Sequence, residues 1–599
     1  MEQQVKKRNR GETREVDEDK WVHDSSLDHK GRVPLRGLTG VWKASLFIIA
    51  IEFSERLSYF AIATNLISYL NKVMHQDLKT AAKNVNYWAG ATTIMPLVGG
   101  FLADAYTGRF IMILLSSIIY FMGLSLLTMS EFIPGLKPCD LETCTHPGKV
   151  HEVVFFLAIY LLSLGTGGHK PCLESFGADQ FDDDHLEERK QKMSYFNWWN
   201  FALCIGLLLA VTLIAYVQDY VSWGVADLIL TVVMGITIVI FYLGKPFYRY
   251  RVPEGSLFTP MLQVLVAAIN KRNLPYSSSP DLLYEVPKSQ KFQGRYLCHT
   301  SDLRFLDKAA IIEDTQNLSA EKGGSPWRLA TVTKVEETKL LLKMIPIWLT
   351  SLTFGICVAQ ASTFFLKQSS TMNRKITTNF EIPPASVYSI SAIGMSLSVT
   401  IYDKILVPVL RKATGNERGI NILQRIGIGM VLAVLSMAIA ALVERKRLIV
   451  VDNEIIQGGK VGAISMSVFW LAPQYIVLGI GDGFTLVGMQ EYFYDQVPDS
   501  MRSLGIAFYL SVIGVGSFLS SFLIILTDHI TRKGGRGTSW FGKDLNNSHL
   551  DKFYWLVAAM NGLNLCIYVF LAKRYSYKNV QRRVVVADFN ASDRAESVA

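Results

Sequence analysis

Apolar residues are concentrated in separate runs along the chain, divided by polar stretches. About 20 consecutive apolar residues form a helix long enough to cross the hydrocarbon core of a bilayer. The pattern predicts twelve membrane-spanning helices, at 45–70, 85–106, 109–130, 152–174, 195–217, 223–244, 340–365, 384–408, 421–443, 466–490, 503–527 and 553–573.

A polar stretch separates these runs into two groups of six. We predict five regions: a cytosolic N-terminal tail at 1–43, a six-helix bundle at 44–244, a cytosolic central loop at 245–339, a six-helix bundle at 340–575 and a cytosolic C-terminal tail at 576–599. Two patterns in the central loop, PMLQVLVAAINKRNL and FLDKAAIIED, predict amphipathic helices near the membrane surface. Six plus six helices is the plan of the major facilitator fold, an all-α architecture whose halves rock about a central site.

The composition agrees with a membrane protein. Of 599 residues, 50% are apolar and only 19% are charged, whereas soluble proteins are usually more polar. The first 40 residues are polar without a signal-peptide pattern, which predicts a cytosolic N-terminus. Most Lys and Arg residues then fall on the cytosolic side. The net charge of +9 fits basic loops beside a membrane and does not indicate nucleic-acid binding.

The seven cysteines show no spacing typical of a metal site. Cys139 and Cys144 share one short loop, where a disulfide and two free thiols are both open. The sequence has no nucleophile–base set, phosphate loop or metal cluster. An enzyme is therefore not predicted, nor is a metal or other cofactor.

The first predicted helix carries charges that a membrane-spanning segment should lack. Glu52, Glu55 and Arg56 lie near the middle of the run at 45–70. Spacings of three and four residues place them on one helix face, which Tyr59 joins one turn later. A charge at mid-membrane costs roughly 2.5–3.5 kcal/mol, so the stripe is predicted to face protein or a water-filled path. A soluble helix with an ordinary ion pair is the alternative, which the apolar flanks disfavour.

A polar turn, GGFLADAYTGRF at 99–110, joins the second and third predicted helices. Asp104 and Arg109 flank its second half at the membrane edge, where a charge pair can hold one conformation. We predict a gating role for this pair. A polar turn without such a role is the alternative.

The fourth predicted helix ends in LGTGGHKPCLESFGADQFDDD at 164–184. Its glycines permit close helix packing. Lys170 is predicted to point inward, where an ammonium suits an anionic substrate or a carboxylate partner; snorkelling to the interface is the alternative. His169 lies on a different face, and a structural role is favoured for it over a switch.

The second half contributes further polar groups. Glu491 lies at the end of the tenth predicted helix, and Asp482 lies more than two turns earlier. Glu491 is a candidate partner for a substrate amine, for Lys170 or for a gate, or else an acid facing water at the interface. Gln360, in the seventh predicted helix, either lines a pore or packs between helices.

Three motifs together resemble one family. They are Glu52-x-x-Glu55-Arg56, the GTGGHKPC…FGADQFD run and the QEYFYDQVPDSMRS run. They are similar to motifs of the proton-dependent oligopeptide transporter family of the major facilitator superfamily. The long central loop resembles its plant nitrate/peptide transporter branch. The resemblance covers residues 40–575.

The resemblance implies a symporter that uses the proton as coupling ion and moves a small anionic or zwitterionic solute, such as nitrate, a di- or tripeptide or a related metabolite. Protonation of a glutamate would release Arg56 and bias the gates. We assign proton coupling to Glu52, Glu55 and Arg56, substrate binding to Lys170, Glu491, Tyr59 and Gln360, and gating to Asp104 and Arg109.

Two positions depart from the family pattern. Nitrate carriers of the branch can place a histidine before the Ala-Gln of the seventh helix, where this chain has Val358. Because an apolar side chain cannot hydrogen-bond nitrate, the substrate stays open. The family's GG-Ile-Lys is GG-His169-Lys170 here, which adds a titratable group or changes nothing.

A transporter-like receptor or sensor with little or no flux is the alternative function. The intact coupling residues favour a transporter. We predict residence in the plasma membrane, with the vacuolar membrane as alternative. The predicted partners are a small solute, protons and the bilayer, without nucleic acid; the oligomeric state is open.

Overall fold

The computed structural model describes residues 20–22, 26–137, 148–182, 185–253, 255, 258–275, 283–284, 299–312, 325–377, 380–415, 419–456, 464–497, 502–533, 539–542 and 545–575. This part of the chain is mostly helical. In chain order the helices are α1 (Val41–Lys72), α2 (Leu78–Leu102), α3 (Arg109–Phe132), α4 (Lys149–Ala178), α5 (Leu186–Leu209), α6 (Ala215–Tyr220), α7 (Trp223–Leu243), α8 (Phe258–Asn270), α9 (Val332–Ala361), α10 (Phe364–Thr371), α11 (Ser389–Ile401), α12 (Val407–Thr414), α13 (Ile422–Ile456), α14 (Ala472–Gln496), α15 (Arg502–Lys533) and α16 (Leu550–Arg574).

The chain forms two compact units. The larger comprises Met1–Ser256, Pro346–Asp495 and Asp499–Arg574, and the smaller comprises Leu257–Ile345, Gln496–Pro498 and Tyr575–Ala599. Within the larger unit we call residues 41–243 the N-half and residues 346–574 the C-half. The predicted tail and loop boundaries stay predictions.

Nine helical segments in the described part of the chain are long and apolar enough to cross a membrane. The other long helices, α1, α2 and α14, are more polar, and α1 carries the predicted charged stripe. On α3, the apolar side chains of Ile111, Leu115, Ile118 and Met122 are exposed at three- and four-residue spacing. Such a stripe suits contact with lipid. The predicted all-α, multi-pass membrane fold is confirmed, and length and composition support membrane crossing for nine of the twelve predicted helices.

Several predicted spans are interrupted. The span at 384–408 begins as a 3-10 turn, Pro384–Tyr388, and a π-helical turn, Tyr402–Leu406, joins α11 to α12. The span at 466–490 was predicted to start too early. Strand β4 (Ile464–Ser467) and a 3-10 turn, Val468–Leu471, precede α14 because buried and exposed residues alternate here with the period of a strand.

Two short sheets lie in the C-half. β1 (Met372–Asn373) pairs in parallel with β4, with Met372 opposite Ile464 and Asn373 opposite Ser467. β2 (Lys375–Thr377) and β3 (Phe380–Glu381) pair antiparallel, with Lys375 opposite Glu381 and Thr377 opposite Phe380. β1, β2 and β3 follow α10 directly, and β4 joins β1 from the segment before α14.

A buried ion pair organises the packing of the C-half. Glu444 and Arg447 of α13 are both fully buried, and Arg447 Nη2 lies 2.7 Å from Glu444 Oε1. Gln368 of α10 donates to the second carboxylate oxygen at 2.6 Å. Arg447 also donates to the Asn546 side chain at 2.7 Å and to the Leu545 carbonyl at 3.2 Å. The network joins α10, α13 and the turn before α16.

The smaller unit has its own apolar core. The first amphipathic pattern of the central loop forms α8, whose Val264, Ala267 and Ala268 are buried. The second pattern forms only a 3-10 helix, Arg304–Ala310, and follows Leu303, whose φ is 47°. A helix is therefore present at the second pattern, as a short 3-10 helix that begins directly after this left-handed residue.

Candidate functional site

The charged stripe of α1 is buried in protein. Glu52 is 3% exposed, Glu55 0% and Arg56 8%. Arg56 Nε lies 3.0 Å from Glu52 Oε1, and its Nη2 lies 2.5 Å from Glu55 Oε2. Both contacts are ion pairs by distance, but their angles do not meet the geometry of a hydrogen bond. Three buried carboxylate oxygens have no hydrogen-bond partner among the described residues: Glu52 Oε2 and both oxygens of Glu55. One guanidinium is thus held between two incompletely satisfied carboxylates.

Lys170 lies over the ring of Tyr59. Its Nζ is 4.1 Å from the ring centroid, and Cζ of Arg56 is 5.7 Å from the same centroid. Trp88 stacks on the same ring at 5.7 Å between centroids, and Phe60 packs edge-on against it at 5.2 Å. Among the described residues, no carboxylate lies within 4.0 Å of the Lys170 ammonium, so its direct contact in this site is the Tyr59 ring, while Glu52 and Glu55 act on it from a longer distance.

Glu174 is a further acid of this site that the sequence analysis did not single out. It lies on α4 four residues after Lys170, on the same helix face. Glu174 interacts electrostatically with Glu52 and with Arg56. The spacing from Lys170 was the available signal. The site therefore holds three acids and two cations from the N-half alone.

Asp482 is an acid of the C-half that is connected to this cluster through tyrosines. It is 8% exposed, and its Oδ1 has no hydrogen-bond partner among the described residues. Tyr509 of α15 lies within electrostatic range of Asp482 and also of Glu174 and Arg56. Tyr388 lies within range of Asp482 and of Tyr59. These tyrosines link the acid of α14 to the charged residues of the N-half.

Glu491 lies elsewhere on α14. Its Oε2 is 3.4 Å from Arg425 Nη1, and its side chain is 33% exposed. Arg425 also lies over the ring of Tyr402, at 4.3 Å. Nine residues separate Glu491 from Asp482, which is about 13 Å along a helix. A role of Glu491 in substrate binding stays a prediction, whereas Asp482 shares the neighbours Tyr388 and Tyr509 with the N-half cluster.

Gln360 takes part in helix packing. Its Nε2 donates to the Ile356 carbonyl at 2.8 Å and to Ser520 Oγ at 3.1 Å. Ser520 also accepts from Asn86 Nδ2 of α2, at 3.1 Å. Gln360 Oε1 has no partner among the described residues. Of the two roles left open for Gln360, the packing role has direct geometric support.

The two halves meet along α2 and α15. Lys79 Nζ lies 2.9 Å from Asp528 Oδ2, Ser521 donates to the Lys83 carbonyl at 3.2 Å, and Gly90 packs against the Phe518 ring. Lys367 of α10 donates to Asn71 at the end of α1. We call this end of the bundle, away from Val41, the outer end. The halves are therefore closed against each other at the outer end.

Comparison with known proteins identifies the family. The POT family model (PTR2) matches residues 110–541. The chain is 62% identical over 565 residues to Protein NRT1/ PTR FAMILY 5.6 of Arabidopsis thaliana, covering 94% of this chain and 96% of that protein. Protein NRT1/ PTR FAMILY 5.7 of Arabidopsis thaliana is 60% identical over 576 residues, covering 96% and 94%. The chain belongs to the POT family.

A solved POT structure confirms the fold. The in meso crystal structure of the POT family transporter PepTSo matches with a TM-score of 0.64 at 18% identity, covering 89% of this chain and 98% of that one. The resemblance predicted from the motifs is thereby confirmed. The family is one of transporters and not of enzymes.

The predicted gating pair of this POT chain is present and has a third member. Arg109 Nε lies 3.1 Å from Asp104 Oδ1, and Arg109 Nη1 also contacts Asp179. Asp104 sits in a π-helical turn, Ala103–Thr107, and Gly108 has a φ of 77°, which favours glycine. Arg251 Nε forms an ion pair with Asp179 Oδ1, at 3.1 Å. The cluster thus joins the α2–α3 turn to the end of α4.

The glycines of α4 permit the close helix approach that the sequence predicted. A Cβ on Gly99 of α2 would lie 2.2 Å from the Gly167 carbonyl oxygen. A Cβ on Gly168 would lie 1.9 Å from Ser116 Oγ of α3. His169 is buried beside this contact, with Nε2 2.9 Å from Ser117 Oγ. The close packing positions Lys170 on the neighbouring face.

The segment before α1 is fastened to the N-half. Arg36 lies 2.9 Å from Asp182 and 2.8 Å from Glu188, and the buried Arg249 lies 2.7 Å from Glu188. Burial raises the pKa of Glu188, but hydrogen bonds from Arg249 and the Asp182 N–H outweigh burial, so the net pKa lies below its ordinary value. Glu188 is thus an ionised carboxylate that pairs with both Arg36 and Arg249.

Two predictions concern cysteines and metals. Cys139 and Cys144 lie outside the described residues. In the smaller unit, donor atoms of His299, Asp307 and Glu336 all lie within 4.8 Å of one another, as for a metal site. The Lys339 ammonium, however, lies 2.7 Å from Asp307 and 2.8 Å from Glu336. A buried cation of the protein thus already neutralises these carboxylates.

Proposed function

We propose that this chain is a proton-coupled symporter that moves a small anionic or zwitterionic solute across a plant membrane by alternating access. Nitrate, di- and tripeptides and related metabolites are the candidate solutes. The observation that carries the proposal is the buried Glu52–Arg56–Glu55 cluster beside a Lys170 without a carboxylate at ion-pair distance. Membership of a transporter family supports it.

Proton coupling follows from competition for Arg56. Two carboxylates hold one guanidinium in a buried site, where charge interactions are strong. Protonation of Glu52 or Glu55 removes one attraction and leaves Arg56 to the other acid. A change in the position of Arg56 also alters the electric field at Lys170, because both cations lie near the ring of Tyr59. Proton binding and anion binding are thereby coupled.

Solute recognition uses opposite charges from the two halves. Lys170 provides a cation for a carboxylate or nitrate, and Asp482 provides an acid for an ammonium group. A zwitterion engages both groups and so draws the halves together. Nitrate engages the cation alone. Val358 offers no hydrogen bond to either solute, so Lys170 carries the anion recognition in this proposal.

Alternating access is supported by the contacts at the outer end. The Lys79–Asp528 pair and the Lys367–Asn71 contact close this end. With the predicted cytosolic N-terminus, the outer end faces away from the cytosol. The arrangement then corresponds to the stage of the cycle in which the solute is shielded from that side.

The test is uptake into proteoliposomes containing the purified full chain. Labelled nitrate and a dipeptide are supplied in parallel, each with and without an inward proton gradient. We expect accumulation of at least one solute above its external concentration only with the gradient. Equal uptake in both conditions would refute coupling, and saturable solute binding without any flux would support the receptor alternative.

The chain is an integral membrane protein, and we propose the plasma membrane as its location. A fluorescent fusion of the full chain in plant cells tests this. Labelling of the cell boundary after plasmolysis supports the proposal, and labelling of the vacuolar membrane contradicts it.

A further inference from the structure

A second group of titratable side chains lies at the outer end of the N-half. Tyr69 of α1, Glu131 of α3 and His151 of α4 meet there. Tyr69 and His151 are buried, and Glu131 is half-buried. Tyr69 lies fourteen residues after Glu55 on α1, which is about 21 Å along the helix. The group is therefore separate from the coupling cluster.

These residues form one continuous chain of contacts. The Tyr69 hydroxyl lies 2.5 Å from Glu131 Oε1 and 3.0 Å from His151 Nε2. On the other side of the imidazole, Nδ1 lies 2.8 Å from the carbonyl oxygen of Leu136. All three distances are hydrogen-bond distances. The chain thus runs from Leu136 through His151 and Tyr69 to Glu131.

The carbonyl oxygen of Leu136 fixes which groups donate and which groups accept in these hydrogen bonds. A carbonyl oxygen only accepts, so His151 Nδ1 must carry a hydrogen. In a neutral imidazole Nε2 is then an acceptor and requires the Tyr69 hydroxyl hydrogen. An ionised Glu131 is also only an acceptor and requires the same hydrogen. The hydroxyl has one hydrogen, so one of these contacts is left unmade.

One additional proton completes all three hydrogen bonds. If it resides on Glu131, the carboxyl group donates to Tyr69 and Tyr69 donates to neutral His151. If it resides on His151, the imidazolium donates to Tyr69 and Tyr69 donates to ionised Glu131. The two forms differ only by a shift of protons along the chain. The observed distances therefore fit a hydrogen-bond network that contains one extra proton, compared with the state in which Glu131 is ionised and His151 is neutral.

Acidic and aromatic side chains surround this group. From α7, the buried Asp227 faces the group and interacts electrostatically with Glu131 and Tyr69. A second acid thus lies close to Glu131. The ring of Trp223 packs edge-on against Tyr69 at 5.0 Å, and Phe155 of α4 stacks on Tyr69 at 4.6 Å.

Other charges on the same elements point elsewhere or are exposed. Lys72 of α1 pairs with Asp219 at 3.0 Å. Lys149 and Glu152 of α4, and Lys137 in the turn after α3, are exposed. Gly224 lets α7 approach Glu131, since a Cβ there would lie 2.9 Å from Glu131 Cβ.

We propose that Glu131, Tyr69 and His151 form a second proton-binding site of this chain. The bound proton closes a hydrogen-bond chain that holds α1, α3 and α4 together at the outer end. Acidification on that side stabilises this packing, and alkalinisation breaks one link of the chain. The site binds a proton irrespective of which solute the chain carries.

The test compares unfolding temperatures of the full chain in lipid nanodiscs from mildly acidic to mildly alkaline pH. The key variant is Glu131→Gln, because its amide N–H replaces the missing proton without a charge. We expect the wild-type midpoint to fall as pH rises and the Glu131→Gln midpoint to fall less. Glu152→Gln removes the same charge from an exposed position and should follow the wild type. Identical slopes for Glu131→Gln and wild type would overturn the proposal.

A spectroscopic measurement on the wild type guards against a variant that fails to fold. Nitrogen NMR of histidine-labelled protein in nanodiscs reports which ring nitrogen is protonated, and His151→Gln identifies the signal by its loss. We expect His151 to carry a proton on Nδ1, either alone or as an imidazolium. A ring protonated only on Nε2 would overturn the proposal.

Discussion

The ammonium of Lys170 lies 4.1 Å from the ring centroid of Tyr59, without a carboxylate at ion-pair distance among the described residues. Lys170 is partly buried, and a cation withdrawn from water is usually neutralised by a direct partner. Here the neighbouring acids Glu52 and Glu55 face Arg56 instead. This relationship leaves Lys170 available for a solute anion and connects it to the coupling cluster through one aromatic ring.

Replacement of Lys170 by Gln tests its role. We expect uptake of an anionic solute to fall at least about tenfold, which corresponds to a loss of about 1.4 kcal/mol in binding or transition-state stabilisation. The fold should be retained, because Lys170 makes no ion pair in the described structure. Lys149→Gln is the matched control, since it removes an exposed lysine from the same helix. Wild-type uptake by Lys170→Gln would exclude anion recognition by this residue.

The gate at the outer end provides a second prediction. Asp528→Asn should weaken its closure by up to about 1 kcal/mol, because the pair with Lys79 is partly exposed to water. Spin labels placed on the outer ends of α2 and α15 would measure the distance between the halves. We expect a larger population at long distance. Lys79→Gln breaks the same pair from the α2 side and leaves the Asp528–Arg532 pair in place, so it should raise the long-distance population in the same direction. An unchanged distance in both variants would argue against this gate.

The sequence predicted contacts along one helix better than contacts between helices. The stripe of Glu52, Glu55 and Arg56 follows from spacing alone, since residues three and four apart share a helix face. Asp104 and Arg109 were likewise close in sequence. Asp179, the third member of that cluster, is distant in sequence, and no periodicity indicates which turn it approaches.

The same limit explains why the sequence did not reveal several residues of the two sites. Glu131, Tyr69 and His151 each sit alone in a different helix, and only the packing of α1, α3 and α4 brings them together. Asp482 was noted only as a second acid because hydropathy does not show which face of α14 approaches the N-half. The start of α14 was misplaced because apolar residues of β4 continue into the helical run.

The buried ion pair of the C-half gives a stability prediction. Arg447→Met leaves the fully buried Glu444 without its cation and should destabilise the C-half by about 3–5 kcal/mol. Denaturant-dependent unfolding in nanodiscs measures this. The double variant Glu444→Gln with Arg447→Met removes both charges and should recover part of the loss. A single variant as stable as the wild type would contradict the role assigned to this pair.

The N-terminal attachment predicts a pH dependence. Because the folded pKa of Glu188 is lowered, the stabilisation by Glu188 is present above its unfolded pKa and is lost as pH falls through the folded value. The difference in unfolding temperature between wild type and Glu188→Gln should therefore be largest near neutral pH and shrink on acidification. Glu187→Gln, an exposed neighbour, is the control. A difference that grows on acidification would reverse the sign and contradict the argument.

The central claim is that the buried acids of α1 couple proton movement to transport, and Glu55→Gln tests it most directly. Proteoliposomes with this variant are assayed for accumulation driven by a proton gradient and for exchange of labelled solute against unlabelled solute. The account predicts that accumulation is lost, because position 55 can no longer release and bind a proton, while exchange persists. Gradient-driven accumulation at the wild-type level would contradict it.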